Sequence, residues 1–279
     1  MSVPDWPRPD MATPPPGAMG RARIAWRAAL LLAVLVCLLP LLLLVRLVER
    51  PLAGARRPVS GYVVQGFFRA CLAILGLRLT LRGTPMRQAG AVVANHSSWL
   101  DIFVLNARHR IVFVSKSEVS GWPVIGFLAR AAGTLFIRRD AREAQAQTAA
   151  LKARLLAGQQ LVFFPEGTST DGLRVLRFKP TLFQAFLSPE LKPIMHVQPV
   201  TVIYHAPKGR DPAFYGWFGD MDFAPHAAAV FAAPRAGRVE LIYHAPLYVA
   251  DFADRKALAA EAERIVRGAM PPARQGLPG

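Results

Sequence analysis

The sequence predicts an α/β fold: a mixed, mostly parallel sheet flanked by helices, behind N-terminal membrane-associated helices. Three observations carry that expectation. Short apolar runs of strand length recur from residue 77 onward, with helical or loop stretches between them. An uncharged apolar run of 18 residues, 28–45, precedes all of them. Three strand-like runs end in polar residues, at "ANHSSWLD", "FIRRD" and "FPEGTST".

In chain order, residues 1–20 are proline-rich with almost no apolar periodicity and read as a disordered tail. Residues 21–77 read as membrane-anchoring helices. The run 28–45 reaches the lower limit for crossing a bilayer, for which about 20 residues are needed, and Pro40 is a candidate kink. Arg21, Arg23 and Arg27 precede it; Arg46, Arg50, Arg56 and Arg57 follow it. With both flanks basic, the positive-inside rule gives no orientation. A span and a shallow or re-entrant helix both stay open. A signal peptide is the weaker reading, because no small-x-small cleavage site clearly follows. The segment 61–77 carries Gln65 and Arg69 and reads as an amphipathic helix, against the membrane or beside the first.

The α/β domain is placed over 78–270, with a flexible tail at 271–279. "LRLTLRG" alternates as a strand does. "AVVAN", "IVFVSK", "GTLFIRR", "QLVFFPEG", "IMHVQPVTVIY" and "VELIYHAPL" follow as further strands. Residues 141–157 form a helix with Gly158 as its stop.

Composition narrows the function. With 53% hydrophobic residues the chain can fill a core and leave a surplus. The net charge of +16 suits nucleic acid, an anionic membrane or an acidic partner, and it also suits plain arginine-rich codon usage. Cys37 and Cys71 have neither zinc-ligand spacing nor the density of a disulfide framework.

Sites in open α/β sheets form where strands end at loops. At the first such end, Ser97 or Ser98 can cap a helix starting near Trp99. His96 then sits in the turn and Asp101 in the first helical turns. If the turn folds His96 back onto Asp101, the carboxylate fixes the ring's tautomer and supports a general base. A histidine that merely makes a core hydrogen bond is the competing reading. At the second end, Glu166, Gly167 and Thr168 form a tight polar turn. Gly167 permits positive φ or close backbone approach, and Glu166 needs a partner if buried. An ordinary strand-ending turn is the alternative. At the third end, Arg138 and Arg139 follow a strand directly, either as a site or as a solvated basic edge.

Taken together, these ends carry a resemblance. Asn95-His96 with Asp101, then Gly133, Phe136, Ile137 and Arg139, then Phe164-Pro165-Glu166-Gly167-Thr168, then Pro199-Val200 resemble the glycerolipid acyltransferase family over about residues 80–205. The resemblance implies that His96 deprotonates an acceptor hydroxyl and Asp101 orients and supports it. The hydroxyl attacks the thioester of an acyl carrier protein or acyl-CoA, with no cofactor and no covalent enzyme intermediate. The absence of a Gly-x-Ser-x-Gly elbow agrees. It further implies that Glu166, Gly167 and Arg139 line the acceptor side, with Lys116 near the same mouth. It places the chain on the inner membrane, with the site facing the cytoplasm. A basic surface suits an anionic leaflet.

There is one departure. Phosphate-using members continue Phe-Pro-Glu-Gly-Thr with arginine; here Ser169 follows. A hydroxyl replaces a charged fork, which weakens phosphate binding there. "RFKPTLFQAF", "VQPVTVIY" and "YGWFGDMDFAPH" resemble the branch that acylates lyso-ornithine lipid, whose head group has no phosphate. The implied alternative is acylation of 1-acyl-sn-glycerol-3-phosphate. A metal hydrolase is disfavoured by six scattered histidines. A nucleic-acid module is disfavoured by dispersed basic residues. A non-catalytic membrane scaffold leaves the polar strand ends unexplained. Asp220 and Asp222 read as surface loop rather than a second site.

Overall fold

The computed structural model describes residues 16–54, 56–123, 125–137 and 144–275. Its centre is a sheet of eight strands. They are β1 (Arg78–Arg82), β2 (Gly90–Ala94), β3 (Val112–Lys116), β4 (Leu135–Ile137), β5 (Gln160–Phe163), β6 (His196–His205), β7 (Arg238–Tyr243) and β8 (Leu247–Tyr248). The order is β1-β7-β6-β2-β5-β3-β4, with β8 on β6 beyond the end of β7. The pairings of β1 with β7 and of β6, β2, β5, β3 and β4 in turn are parallel; only β7 and β8 run antiparallel to β6. The expected mixed, mostly parallel sheet is therefore observed. The last apolar run, read as one strand, is two: β7 ends at Tyr243 and β8 begins at Leu247. Pro199 of β6 lies opposite that break, where its missing N–H leaves no ladder bond unmade.

The helices are α1 (Ala18–Ala53), α2 (Ser60–Leu75), α3 (Leu100–Arg108), α4 (Ile125–Ala132), α5 (Ala144–Leu156), α6 (Phe223–Ala232) and α7 (Arg255–Gly268). Strands buried on both faces divide their side chains by parity. Val92 and Ala94 of β2, with Val200, Val202 and Tyr204 of β6, meet Phe68 and Leu72 of α2 and Leu100 and Val104 of α3. Ala91 and Val93 face the other way, onto Leu155 of α5, Phe183 and Phe186 of a 3-10 segment, and Leu258 and Val266 of α7. Gly158, at φ 77°, ends α5 as expected.

The front end departs from expectation in three ways. Helix α1 starts at Ala18, so the last residues of the 1–20 segment are helical rather than tail. It runs 36 residues and continues through Pro40 and Pro51. Arg23 and Arg27, read as a membrane flank, cap the C-terminus of α6: Arg23 Nε donates to Ala232 O at 2.7 Å, and Arg27 to Phe231 O at 2.7 Å and Ala233 O at 3.0 Å. At the other end of α1, Glu49 accepts from the Val59 and Ser60 amides at the start of α2. At the C-terminus, residues 271–275 are docked rather than a tail, since Pro272–Arg274 form a 3-10 turn and Arg274 donates to Tyr204 O.

Candidate active site

At the C-terminal end of β2, Asn95 prolongs the strand with its side chain. Its amide donates to Val202 O at 2.9 Å and accepts from Val202 N at 2.8 Å. The next residue, His96, leaves the sheet. The turn does fold it back: His96 Nδ1 lies 2.7 Å from Asp101 Oδ2. The same oxygen accepts from the Ser97 and Ser98 amides at 2.8 and 3.0 Å, and Oδ1 accepts from the Tyr204 hydroxyl at 2.8 Å. Asp101 is fully buried, and its oxygens meet only donors, which suits an ionised carboxylate. The cap at this turn is therefore made largely by Asp101 from inside α3. Ser98 Oγ adds one bond, from Leu100 N at 3.3 Å.

The second motif clamps His96 from outside. Glu166 Oε1 accepts from the His96 amide at 2.7 Å, Oε2 accepts from Leu176 N at 2.8 Å, and Thr170 N donates to His96 O at 2.8 Å. Glu166 is 1% exposed. Burial pushes its carboxyl up to about 8, against the two amide bonds, which act to lower it. Phe164 stacks on the His96 ring, with centroids 4.0 Å apart and planes 9° from parallel. With Nδ1 turned to Asp101, a neutral ring carries its lone pair on Nε2. The His96 side chain keeps 20% of its exposure, so the ring is open to a reactant.

Gly167 has φ 76°, and a Cβ there would collide with the Lys179 ammonium lying against it. Lys179 is itself fastened by its amide to Pro165 O at 2.8 Å. Among the described residues it has no carboxylate partner. Thr168 is exposed and Ser169 half-buried on the same turn. Arg174 is paired with Asp171, NH2 to Oδ2 at 2.7 Å. A wall of rings closes one side: Trp99 meets Phe103 and Phe223 edge-on, and its Nε1 donates to His226 Nδ1 at 3.0 Å.

Of the residues singled out in the sequence, His96, Asp101, Glu166, Gly167, Thr168 and Ser169 converge at this end of β2 and β5. Lys116 is the last residue of β3 and thus at the same end of the sheet, but its side chain lies outside the described set. Arg139 lies outside the described residues altogether, two positions beyond β4. Asp222 immediately precedes α6 and Asp220 is exposed. Tyr204 and Lys179 belong to the site and were not singled out for it; Phe164 was named in the motif but given no role. Tyr204 shares a face with Val200 and Val202 near the end of a strand beside β2, a signal that needs the strand order to be read. Burial and the Asp101 charge hold its hydroxyl well above the usual tyrosine range, so it stays a donor.

A family model described as Acyltransferase matches residues 78–203. The lyso-ornithine lipid O-acyltransferase of Rhodobacter capsulatus is 55% identical over 266 residues, 95% of this chain and 95% of its own. The 1-acyl-sn-glycerol-3-phosphate acyltransferase of Neisseria meningitidis is 41% identical over 120 residues, 42% of this chain and 47% of its own. Among solved structures, the 1-acyl-sn-glycerophosphate acyltransferase of Thermotoga maritima shares the fold, with TM-score 0.62 at 20% identity over 89% of this chain and 95% of that one.

Proposed function

This chain belongs to the acyltransferase family, and from that premise we propose that it moves a fatty acyl group from a carrier thioester to the 3-hydroxyl of lyso-ornithine lipid, giving ornithine lipid. The observation that carries the catalytic part is the 2.7 Å contact of His96 Nδ1 with Asp101. Nε2 of His96 takes the proton of the acceptor hydroxyl as its oxygen attacks the thioester carbonyl. Asp101, itself fixed by three further donors, balances the imidazolium that forms. The carbon–sulfur bond then breaks and the proton on His96 passes to the leaving thiolate. Ser97 and Ser98 are fully buried, which agrees with direct transfer and no acyl-serine.

The acceptor part rests on the turn after Glu166. Ser169 stands where the phosphate-using relatives that this chain resembles carry arginine. Arg174, a possible substitute, already faces Asp171 through three contacts. Lys179 offers one ammonium at Gly167, a point charge that can meet the carboxylate of an amino-acid head group but lacks the paired donors of an arginine fork. The name of the 55% identical relative supports the same acceptor.

The chain is membrane-associated. Among the described residues one helix, α1, is long and apolar enough to cross a membrane, and it leaves Leu32, Val36, Leu44 and Leu47 exposed. We place it on the inner membrane with the site toward the cytoplasm, where carrier thioesters are made. The donor is an acyl carrier protein or acyl-CoA.

The test compares kcat/KM for lyso-ornithine lipid and lysophosphatidic acid in wild type and in Ser169→Arg. Wild type prefers the former, and the substitution shifts the ratio toward the latter. Efficient use of lysophosphatidic acid alone by wild type overturns the acceptor assignment.

A further inference from the structure

The parallel strands β2, β3 and β5 have a second end, opposite His96. The segments entering them, 83–88, 106–111 and 156–159, line an open trough of about 1700 Å³ there. Six arginines face it: Arg56, Arg57, Arg69, Arg87, Arg108 and Arg110. No aspartate or glutamate lines it among the described residues.

What holds these arginines leaves their charge uncancelled. Arg57 donates to Ala131 O and Arg69 to Ala107 O, both neutral carbonyls. Arg110 lies over the Tyr62 ring, 4.1 Å from its centroid. Arg56, Arg87 and Arg108 make no side-chain hydrogen bond or ion pair among the described residues. Glu49, the nearest carboxylate to Arg57 on α1, is committed to Arg46 and the α2 amides. Burial first, and then the Arg46 and Arg154 charges, hold Arg57 down to about 10, with Glu49 acting the other way.

The trough also adjoins the lipid-facing part of the molecule. Ala53 and Pro58 line both it and a groove of about 490 Å³ along the end of α1, walled by Leu44, Val45, Val48, Leu52 and Val59, with Glu49, held by Arg46 and the α2 amides, as its one charged lining residue. Helix α1 starts against α6, beside the Trp99 wall, and ends at this groove. One exposed apolar helix thus joins the catalytic end of the sheet to the basic end.

We propose that the trough binds the phosphate head groups of anionic phospholipids, whose acyl chains lie along the adjoining groove. Guanidinium forks match phosphate oxygens in pairs, and an apolar wall beside a basic floor matches an amphiphile. The site is separate from the one that carries out transfer; it rests on the membrane-association reading and not on the identity of the acceptor. An acyl carrier protein is the other acidic partner to weigh. Docked here, it would hold its thioester at the wrong end of the sheet for His96.

The experiment measures flotation of the full-length chain, diluted from detergent, with vesicles of phosphatidylcholine alone and with phosphatidylglycerol added. The variant is Arg56→Gln/Arg87→Gln/Arg108→Gln. A control removes three cations from α7, as Arg255→Gln/Lys256→Gln/Arg264→Gln. Wild type binds the anionic vesicles more tightly. The trough variant loses that enhancement by roughly 10- to 100-fold, keeps its binding to neutral vesicles and keeps its turnover with acyl-CoA in detergent. The α7 control keeps most of the enhancement. Equal losses in both variants mean that net charge alone is felt, and overturn the proposal. So does a trough variant that floats like wild type, or one whose only defect is a raised KM for carrier-protein thioesters. A wild type that floats with neither vesicle fails the membrane reading itself, a different result from loss of the lipid preference alone.

Discussion

His96 has both backbone groups and one ring nitrogen already taken: its amide by Glu166, its carbonyl by Thr170, its Nδ1 by Asp101. Proton exchange is left to Nε2. His96→Ala should lower kcat by about 10²–10⁴-fold, the usual contribution of a general base, with circular dichroism unchanged. Asp101→Asn should be similarly impaired, because an amide presents a donor where all four partners are already donors. Near-normal turnover by folded His96→Ala protein would sink the mechanism. Glu166 makes a separate prediction. Its carboxyl sits at about 8 in the fold, against a usual value of 4.5. Below 4.5 both folded and unfolded chains hold the proton. Between 4.5 and about 8 the unfolded chain releases a proton that the folded chain keeps, so stability falls as pH rises and levels off above 8. Thermal unfolding in detergent from pH 5 to 9 should show that slope in wild type, and Glu166→Gln should flatten it. An identical slope in both excludes Glu166 as its source. The His96–Asp101 pair was legible because both residues lie within six positions and an apolar strand delivers them. Tyr204, 103 positions from Asp101, was not, because only the placement of β6 beside β2 brings it there.

At the scale of elements, the strands were legible and the role of the flanking charges was not. Apolar runs bounded by polar turns mark the strands from β2 to β7, while β1, exposed at the edge of the sheet, shows as alternation instead. Arg23 and Arg27 read as a basic flank because their partners are carbonyls of α6, more than 200 positions away. A guanidinium on the last carbonyls of a helix satisfies groups that have no partner inside it. Arg27 is 6% exposed, so its loss leaves two such carbonyls buried. Arg27→Met should therefore cost about 2 kcal/mol, read as a lowered Tm in detergent. Arg21→Met is the comparison, because Arg21 is exposed and, among the described residues, its side chain bonds only Pro16 O. If the two variants melt alike, α1 is not held to the domain through this cap.

For the whole molecule, the question the sequence left open is whether α1 crosses the bilayer. The residues 28–45 allow either answer, because composition fixes that a helix is apolar and not what its ends touch. Here both ends touch the same domain: Arg23 and Arg27 are fastened to α6, and Glu49 to the start of α2, whose Phe68 packs edge-on against Phe103 of α3. A transmembrane α1 would pull one of these attachments to the far side of the bilayer. Between positions 22 and 50 the helix rises about 42 Å at 1.5 Å per residue, more than the hydrocarbon thickness of about 30 Å. A span would therefore separate the two positions by the membrane, and a helix lying along one leaflet would not. Exposed Cys37 complicates labelling and buried Cys71 does not, so Cys37→Ser is the background. In sealed inside-out vesicles, Ala22→Cys and Arg50→Cys should both react with a membrane-impermeant maleimide, and in right-side-out vesicles neither should. One position labelled in each orientation establishes a span and requires the Arg23–Arg27 cap on α6, or the Glu49 contact with α2, to come apart in the membrane. Labelling of both from the cytoplasmic side keeps His96 and the basic trough on the same leaflet, joined by the helix that lies in it.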